Sequence, residues 1–343
     1  MKMWPATLQE RLKPVKGARL LFQIPELKDI LKAQRNISPW VRETPLEHHR
    51  GLSALLGAEV YLKMEMMRET RAFKIRGACH FIAELGQEKR QRGVIAASGG
   101  SHALGVAYAA SVMKVPATIV VTLRAPKHIA ESCRLYGAEV IVAGEVYDDA
   151  CRIAMEIAEE RGLTFIHSYD HPAIVAGQGT VGLEIFHQLP DPDVIICPVG
   201  GGGLINGVMI TAGAFRPETE VWGVEPEGAP TMTESLRAEK LVHLDNPRSV
   251  ADKLVTKEVG RLNFEIARRL SPRMVTVSEE QIRHAMYLLL SQANLWAEGA
   301  AASALAAAWK ERESLRGKKA VLVLTGGNVD AAVIRQVLAE YHA

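Results

Sequence analysis

Through the middle of the chain, short apolar runs bounded by turn residues alternate with helix-length amphipathic segments. This alternation limits the fold more than any other feature. Residues 93–97 (GVIAA) read as a buried strand and 102–113 as a helix. Residues 117–121 (ATIVV) and 138–142 (AEVIV) read as strands, each followed by a helix, over 127–136 and 146–161. The pattern continues at 194–197 (VIIC), which lead into a glycine loop, at 221–224, before a helix that follows Glu227, and at 320–324 (AVLVL), before a last helix from Val329. Strand–helix alternation of this kind predicts βαβ units, hence an α/β fold with open, twisted, mainly parallel sheets. Ligands of such sheets bind at the C-terminal ends of the strands.

With 343 residues the chain is long enough for two domains with sizeable cores. Its 48% hydrophobic and 23% charged residues are those of a soluble globular protein. A net charge of +2 leaves no basic stripe for nucleic acid, and the mixed run from Glu88 to Arg92 reads as a solvated helix face. No apolar run approaches the ~20 residues of a membrane span. The opening Met-Lys-Met-Trp-Pro lacks the apolar core of a secretory signal, so a cytoplasmic location is expected. Cys79, Cys133, Cys151 and Cys197 form no Cys-x-x-Cys pair and are expected to be free thiols. Residues 1–29 are expected to be an N-terminal extension, packed on the surface or on a second subunit. The polar segment 245–262 is expected to be a surface excursion.

Four motifs carry chemistry. Gly200-Gly201-Gly202-Gly203 stands between a strand and a helix, where tight turns aim backbone N–H groups at an anion and the helix start adds partial positive charge. A four-glycine turn costs entropy that a plain turn does not need. Neither a Gly-x-Gly-x-x-Gly nor a Gly-Lys-Ser/Thr pattern is present, so a single phosphate suits it better than a dinucleotide or ATP. Phe73-Lys74-Ile75-Arg76 sets a lysine between apolar neighbours, where desolvation lowers its pKa and makes it a nucleophile and base. Ser98-Gly99-Gly100-Ser101-His102 opens a helix and reads either as a simple cap or as a carboxylate site. Thr325-Gly326-Gly327-Asn328 reads as a strand-to-helix turn capped by Asn328, or as a place where Thr325 offers its hydroxyl to a ring nitrogen.

The order Phe-Lys-x-Arg-Gly-Ala, Ser-Gly-x-x-His-Ala, Gly-Gly-Gly-Gly-Leu and Thr-Gly-Gly-Asn resembles the tryptophan-synthase-β-like (fold type II) pyridoxal-phosphate (PLP) enzymes. Most closely it resembles their threonine/serine dehydratase and serine racemase branch. The stretches Leu62-Lys63-Met64-Glu65, Gly177-Gln178-Gly179-Thr180 and Glu298-Gly299-Ala300 support the resemblance, which runs from Ile30 to the end. It implies a large PLP-binding domain over 1–80 and 171–343, a small mobile domain over 81–170, and the PLP site in the cleft between them. Lys74 is then the Schiff-base lysine and catalytic base, with Phe73 packed over the cofactor ring. Gly200, Gly201, Gly202 and Gly203 bind the phosphate, and Thr325 faces the ring nitrogen. Ser98, Gly99, Ser101 and His102 form the loop that grips the substrate carboxylate, with Ser101 also beside the cofactor.

The chain departs from the family pattern in places. Ser101 stands where the loop usually carries an Asn that reaches the cofactor's 3′-oxygen. Gly99 stands where racemases have a catalytic serine. Ala72 and Arg71 replace a serine and a glycine, and Lys253 occupies a usual glycine position. The metal pattern of racemases maps to Glu225, Ala229 and Thr231, and no metal is expected because Thr231 is not an acid. The implied reaction is PLP-dependent β-elimination of a small β-hydroxy amino acid such as L-threonine or L-serine, giving a 2-oxo acid and ammonia, by a homodimer or homotetramer. Three alternatives stay open: a bulkier or acidic β-hydroxy amino acid (phenylserine, hydroxyaspartate), β-replacement, and a non-catalytic PLP-binding protein.

Overall fold

Ten strands form two separate sheets in the computed structural model, which describes residues 23–341. The first two strands are β1 (Leu46–His48) and β2 (Glu59–Met64). It then builds a four-stranded sheet from β3 (Val94–Ala97), β4 (Ala117–Val121), β5 (Glu139–Val142) and β6 (Thr164–Phe165), in the order β5-β4-β3-β6, all parallel. It returns with β7 (Val194–Pro198), β8 (Glu220–Pro226), β9 (Arg273–Val277) and β10 (Lys319–Leu324), which join the first two strands in the order β1-β2-β10-β7-β8-β9. Only β1 runs antiparallel in this sheet. The α/β class with mainly parallel sheets is as the strand–helix alternation requires. Helices on both faces explain why β3 and β7 are apolar at every position: every residue of each is buried.

Two helices set the position of the site. Lys74–Glu84 crosses Pro172–Gln188 with backbone against backbone, since a Cβ at Gly177 would stand 2.6 Å from the Gly77 Cα. Helix Lys74–Glu84 runs straight through the boundary expected at 80/81. Its buried Ile75, Ala78 and Cys79 belong to the same apolar cluster as Val94, Ala96 and Ile119 of the four-stranded sheet. The expected N-terminal extension is corrected at its end. Ile24 and Ile30 are buried against Val175, Ile210 and Leu262, and a helix already starts at Leu27 because Glu26 and Asp29 cap it reciprocally. Residues 1–22 of that extension lie outside the described residues. The surface excursion expected over 245–262 is also corrected: Ala251, Leu254, Val259 and Leu262 are buried, and the segment lines a cleft. All four cysteines are free thiols. Among the described residues, no helix is long and apolar enough to cross a membrane.

Candidate active site

A cleft of about 1100 Å³ opens between the C-terminal ends of the two sheets. Into it project the turn after β3 (Ser98–His102), Ser168 and Tyr169 after β6, Gly200–Gly203 after β7, and Thr325 after β10. Phe73 and Lys74 enter at the start of helix Lys74–Glu84. The fold thus gathers Phe73, Lys74, Ser98, Gly99, Ser101, His102, Gly200, Gly201, Gly202, Gly203 and Thr325 around one space, although they are spread along the sequence from 73 to 325.

Lys74 is half-buried, and its Nζ donates to the Ser168 carbonyl oxygen at 2.9 Å and lies 5.2 Å from the centre of the Phe73 ring. Burial lowers its pKa to about 8, against the pull of Glu298 in the other direction. The lowered pKa makes the free amine, which a nucleophile and base requires, more accessible near neutral pH than for an ordinary lysine. In the glycine loop, Gly202 sits at φ +93°, a left-handed conformation that favours glycine. A Cβ on Gly201 would fall inside the ring of Tyr169. Asn263 Nδ2 holds both carbonyls, Gly201 at 2.8 Å and Tyr169 at 3.0 Å. Helix Gly203–Phe215 starts without a side-chain cap, which leaves its first-turn N–H groups to an anion. Thr325 Oγ1 is buried with no hydrogen-bond partner, an omission that a folded protein rarely tolerates unless a ligand supplies the partner.

On the opposite side, the Ser98 hydroxyl accepts from the Gly100 N–H at 3.2 Å, and helix Ser101–Val112 starts without a side-chain cap. Ser101 Oγ accepts from Asn328 Nδ2 at 3.2 Å. Asn328 also donates to the Thr70 carbonyl, while Asp330 caps the last helix in its place, over Ala331–Tyr341. His102 faces inward: its Nε2 lies 3.1 Å from the Ile166 carbonyl, and burial pushes its pKa down to about 3. The ring is neutral and brings no cation to a carboxylate. Gly99 lines the cleft without a side chain, and a Cβ there would meet the Ala125 Cβ at 3.0 Å. Glu225 accepts from Met232 N, Thr233 N and Thr233 Oγ1 at 2.7–2.8 Å. Among the described residues, no group of three His, Cys, Asp or Glu side chains is placed to hold a metal.

Sequence reasoning did not single out two features for what they do. Glu298 lies buried at the start of helix Gly299–Lys310, with Oε2 lacking a hydrogen bond and 3.6 Å from Lys253 Nζ. Burial raises its pKa to about 7 and Lys253 opposes this. Its only trace in the sequence is a lone acid ahead of an alanine-rich run. Behind Lys74, five buried charges interlock: Lys63, Glu65, Arg68, Arg76 and Glu184. Arg76 grips Glu65 through Nε and Nη2 at 2.8 and 2.7 Å and reaches Glu184 at 2.6 Å. Lys63 meets Glu184 at 2.7 Å.

A doubly anchored aldehyde-phosphate cofactor matches this arrangement, with a lysine for its carbonyl, a glycine cradle for its phosphate and a hydroxyl for its ring nitrogen. The chain belongs to the pyridoxal-phosphate dependent enzyme family, which it matches over residues 37–326. It is 43% identical over 312 residues to the L-threonine ammonia-lyase of Thermotoga maritima, covering 91% of this chain and 78% of that one. It is 36% identical to the L-threo-3-hydroxyaspartate ammonia-lyase of Saccharomyces cerevisiae, over 90% of this chain and 94% of that one. Maize serine racemase superposes with a TM-score of 0.87 at 31% identity, over 93% of this chain and 98% of that one. PLP fits the residues present on two counts: the partnerless Thr325 hydroxyl gains a partner, and the glycine cradle has no room for a side chain.

The cradle makes a direct expectation. Gly201→Val places methyl groups where the Tyr169 ring already stands, so ring and loop must separate. The cofactor's Kd, measured by titrating the apoprotein with PLP, should rise at least about tenfold, the effect of losing one charge-assisted contact. A wild-type Kd in the variant would remove the loop from the phosphate site.

Proposed function

We propose that this enzyme eliminates the β-hydroxyl of L-threonine or L-serine, releasing the 2-oxo acid and ammonia. The observation that carries the reading is the half-buried amine of Lys74, with its lowered pKa, in one cleft with the glycine cradle and the partnerless Thr325 hydroxyl. When bound, PLP supplies the electron sink that makes the Cα proton of an amino acid removable. With the cofactor bound, Lys74 would be the base that takes that proton from Cα. Thr325 offers the ring nitrogen a neutral hydroxyl, which holds no proton there as a carboxylate would. Such a neutral partner would favour prompt loss of the β-substituent. The uncapped start of helix Ser101–Val112, with the hydroxyls of Ser98 and Ser101, orients the substrate carboxylate. Screening β-hydroxy amino acids for 2-oxo acid release tests the reading, and failure of both L-threonine and L-serine overturns it.

The four-stranded sheet with its helices is proposed as the smaller body that closes over the substrate, beginning at helix Lys74–Glu84 instead of residue 81. A cytosolic homodimer or homotetramer is proposed as the working form. Free thiols support the compartment, and exposed large apolar side chains such as Leu135 and Trp296 support association.

Elimination is expected to outrun inversion at Cα. Inversion needs a proton donor on the face opposite Lys74, and Gly99 has no side chain to supply one. General acid catalysis is worth ~10²–10⁴-fold, so 2-oxo acid should form faster than D-serine by a factor of that order. Following both products from L-serine decides it: D-serine accumulating faster than pyruvate would show that another group provides the acid.

A further inference from the structure

The cleft holds an ammonium group that elimination from threonine or serine does not use. Lys253 lies in the short 3-10 turn Asp252–Leu254, whose backbone packs on the glycine loop: a Cβ at Gly200 would stand 3.2 Å from the Lys253 carbonyl oxygen. The side chain reaches toward the other wall, and a Cβ at Gly100 would stand 3.7 Å from Lys253 Cε. The ammonium is thereby set beside the Ser98–Ser101 turn, within the proposed substrate space.

Its present partners are distant. Asp252 Oδ1 is at 3.3 Å, the Asn328 carbonyl at 3.4 Å and Glu298 Oε2 at 3.6 Å. The pairs that Lys63 and Arg76 make behind Lys74 close to 2.6–2.7 Å, while those of Arg68 stay at 3.3 Å. Asp252 is 70% exposed and can turn to water, and 24% of the Lys253 side chain remains accessible. Burial pulls the lysine's pKa down, but Glu298 and Asp252 together outweigh it and leave the pKa above its ordinary value, so the group is charged. A cation held that firmly in its protonated form is a poor base and a weak acid, which favours attraction over proton transfer. The substrate α-carboxylate already has the helix start and two serine hydroxyls. The methyl group of threonine gives the ammonium no partner, whereas a second carboxylate on Cβ does.

We propose that Lys253 is a specificity-determining residue that pairs with a side-chain carboxylate, making 3-hydroxy dicarboxylic amino acids the preferred substrate class. The inference rests on the elimination proposed above and changes the substrate, not the reaction. Cα loses a proton and Cβ loses hydroxide, so water leaves. Hydrolysis of the resulting enamine takes water back and gives a 2-oxo dicarboxylic acid and ammonia.

The test uses the holoenzyme with Lys253→Met and Lys253→Arg. Two measurements are made: kcat/KM on L-threo-3-hydroxyaspartate and on L-threonine, and the Kd of L-aspartate, which lacks the β-hydroxyl, from the shift it causes in the visible band. Wild type is expected to prefer hydroxyaspartate. Lys253→Met should lower the hydroxyaspartate-to-threonine ratio and weaken L-aspartate binding, each by at least about tenfold, the worth of one hydrogen bond to a charged group. Lys253→Arg should recover part of both. Should the methionine variant lose its cofactor band, Lys253→Gln takes its place. Equal loss on the two substrates, an unchanged Kd for L-aspartate, or a wild-type preference for threonine overturns the proposal. If no β-hydroxy amino acid yields 2-oxo acid while L-aspartate still binds through Lys253, the elimination fails and the carboxylate pairing stands.

Discussion

Lys74→Ala is expected to abolish the visible absorbance band of the purified protein and to lower 2-oxo acid release by at least about 10⁴-fold, the scale seen when a residue central to a catalytic unit is removed. The size of the effect follows from two duties resting on one amine. In the proposed mechanism it would hold the cofactor's carbonyl carbon and would also carry the Cα proton. Its burial, its hydrogen bond to the Ser168 carbonyl and a pKa lowered to about 8 prepare it for both. Alanine removes the covalent anchor but leaves the glycine cradle and Thr325, so the variant should still bind PLP noncovalently and more weakly. Two measurements separate these effects: the absorbance spectrum after borohydride reduction, and the mass of the lysine-containing peptide. A variant that keeps the band, or a wild-type protein reduced at some other lysine, would move the anchor elsewhere and remove the basis of the proposed mechanism.

What could be read from the sequence was local. β3, β4 and β10 announce themselves because helices cover both faces, so their apolar runs are unbroken. The four-glycine turn and the Phe73–Arg76 stretch are likewise short motifs whose chemistry lies within a few residues. What escaped depends on partners far apart in the chain. Glu184 is 121 residues from Lys63 and 108 from Arg76, so a reading by local pattern sees only isolated charges on helices. The segment 245–262 looked like solvent-facing chain because it is polar, but the wall of a ligand cleft is polar too, and only its buried Ala251 and Leu254 distinguish the two. His102 was placed by its motif in the carboxylate loop. Its ring turns toward Ile166 because one position further along a helix rotates a side chain by roughly 100°.

Arg76→Met is expected to cost about 3–5 kcal/mol of stability, the usual penalty for removing one member of a buried ion cluster. In a chain of 343 residues, whose unfolding entropy scales with length, that corresponds to a fall in Tm of roughly 4–7 °C. Arg76 is fully buried, and its guanidinium joins three elements at once: Glu65 after β2, Glu184 and Thr180 on helix Pro172–Gln188, and its own helix two residues after Lys74. Methionine fills much of the volume but leaves Glu65 and Glu184 facing Lys63 and the more distant Arg68, whose closest approaches are 3.3 Å. The deficit should depend on pH in a defined direction. In the wild type, Arg76 and its neighbours hold both carboxyls below their usual range, so their stabilisation is present above the unfolded carboxylate pKa and is lost as pH falls through the lowered folded value. Without the guanidinium, burial dominates and the carboxyls move upward. The variant can then relieve its strain by taking up protons at mildly acidic pH. The difference in Tm between wild type and variant should therefore be largest near pH 8 and narrow toward pH 5. Melting curves at the two pH values, with the visible band as a second readout of the Lys74 environment, test both claims. A difference under about 2 °C, or one that does not change with pH, would mean that these charges do not hold the helix of Lys74 in place.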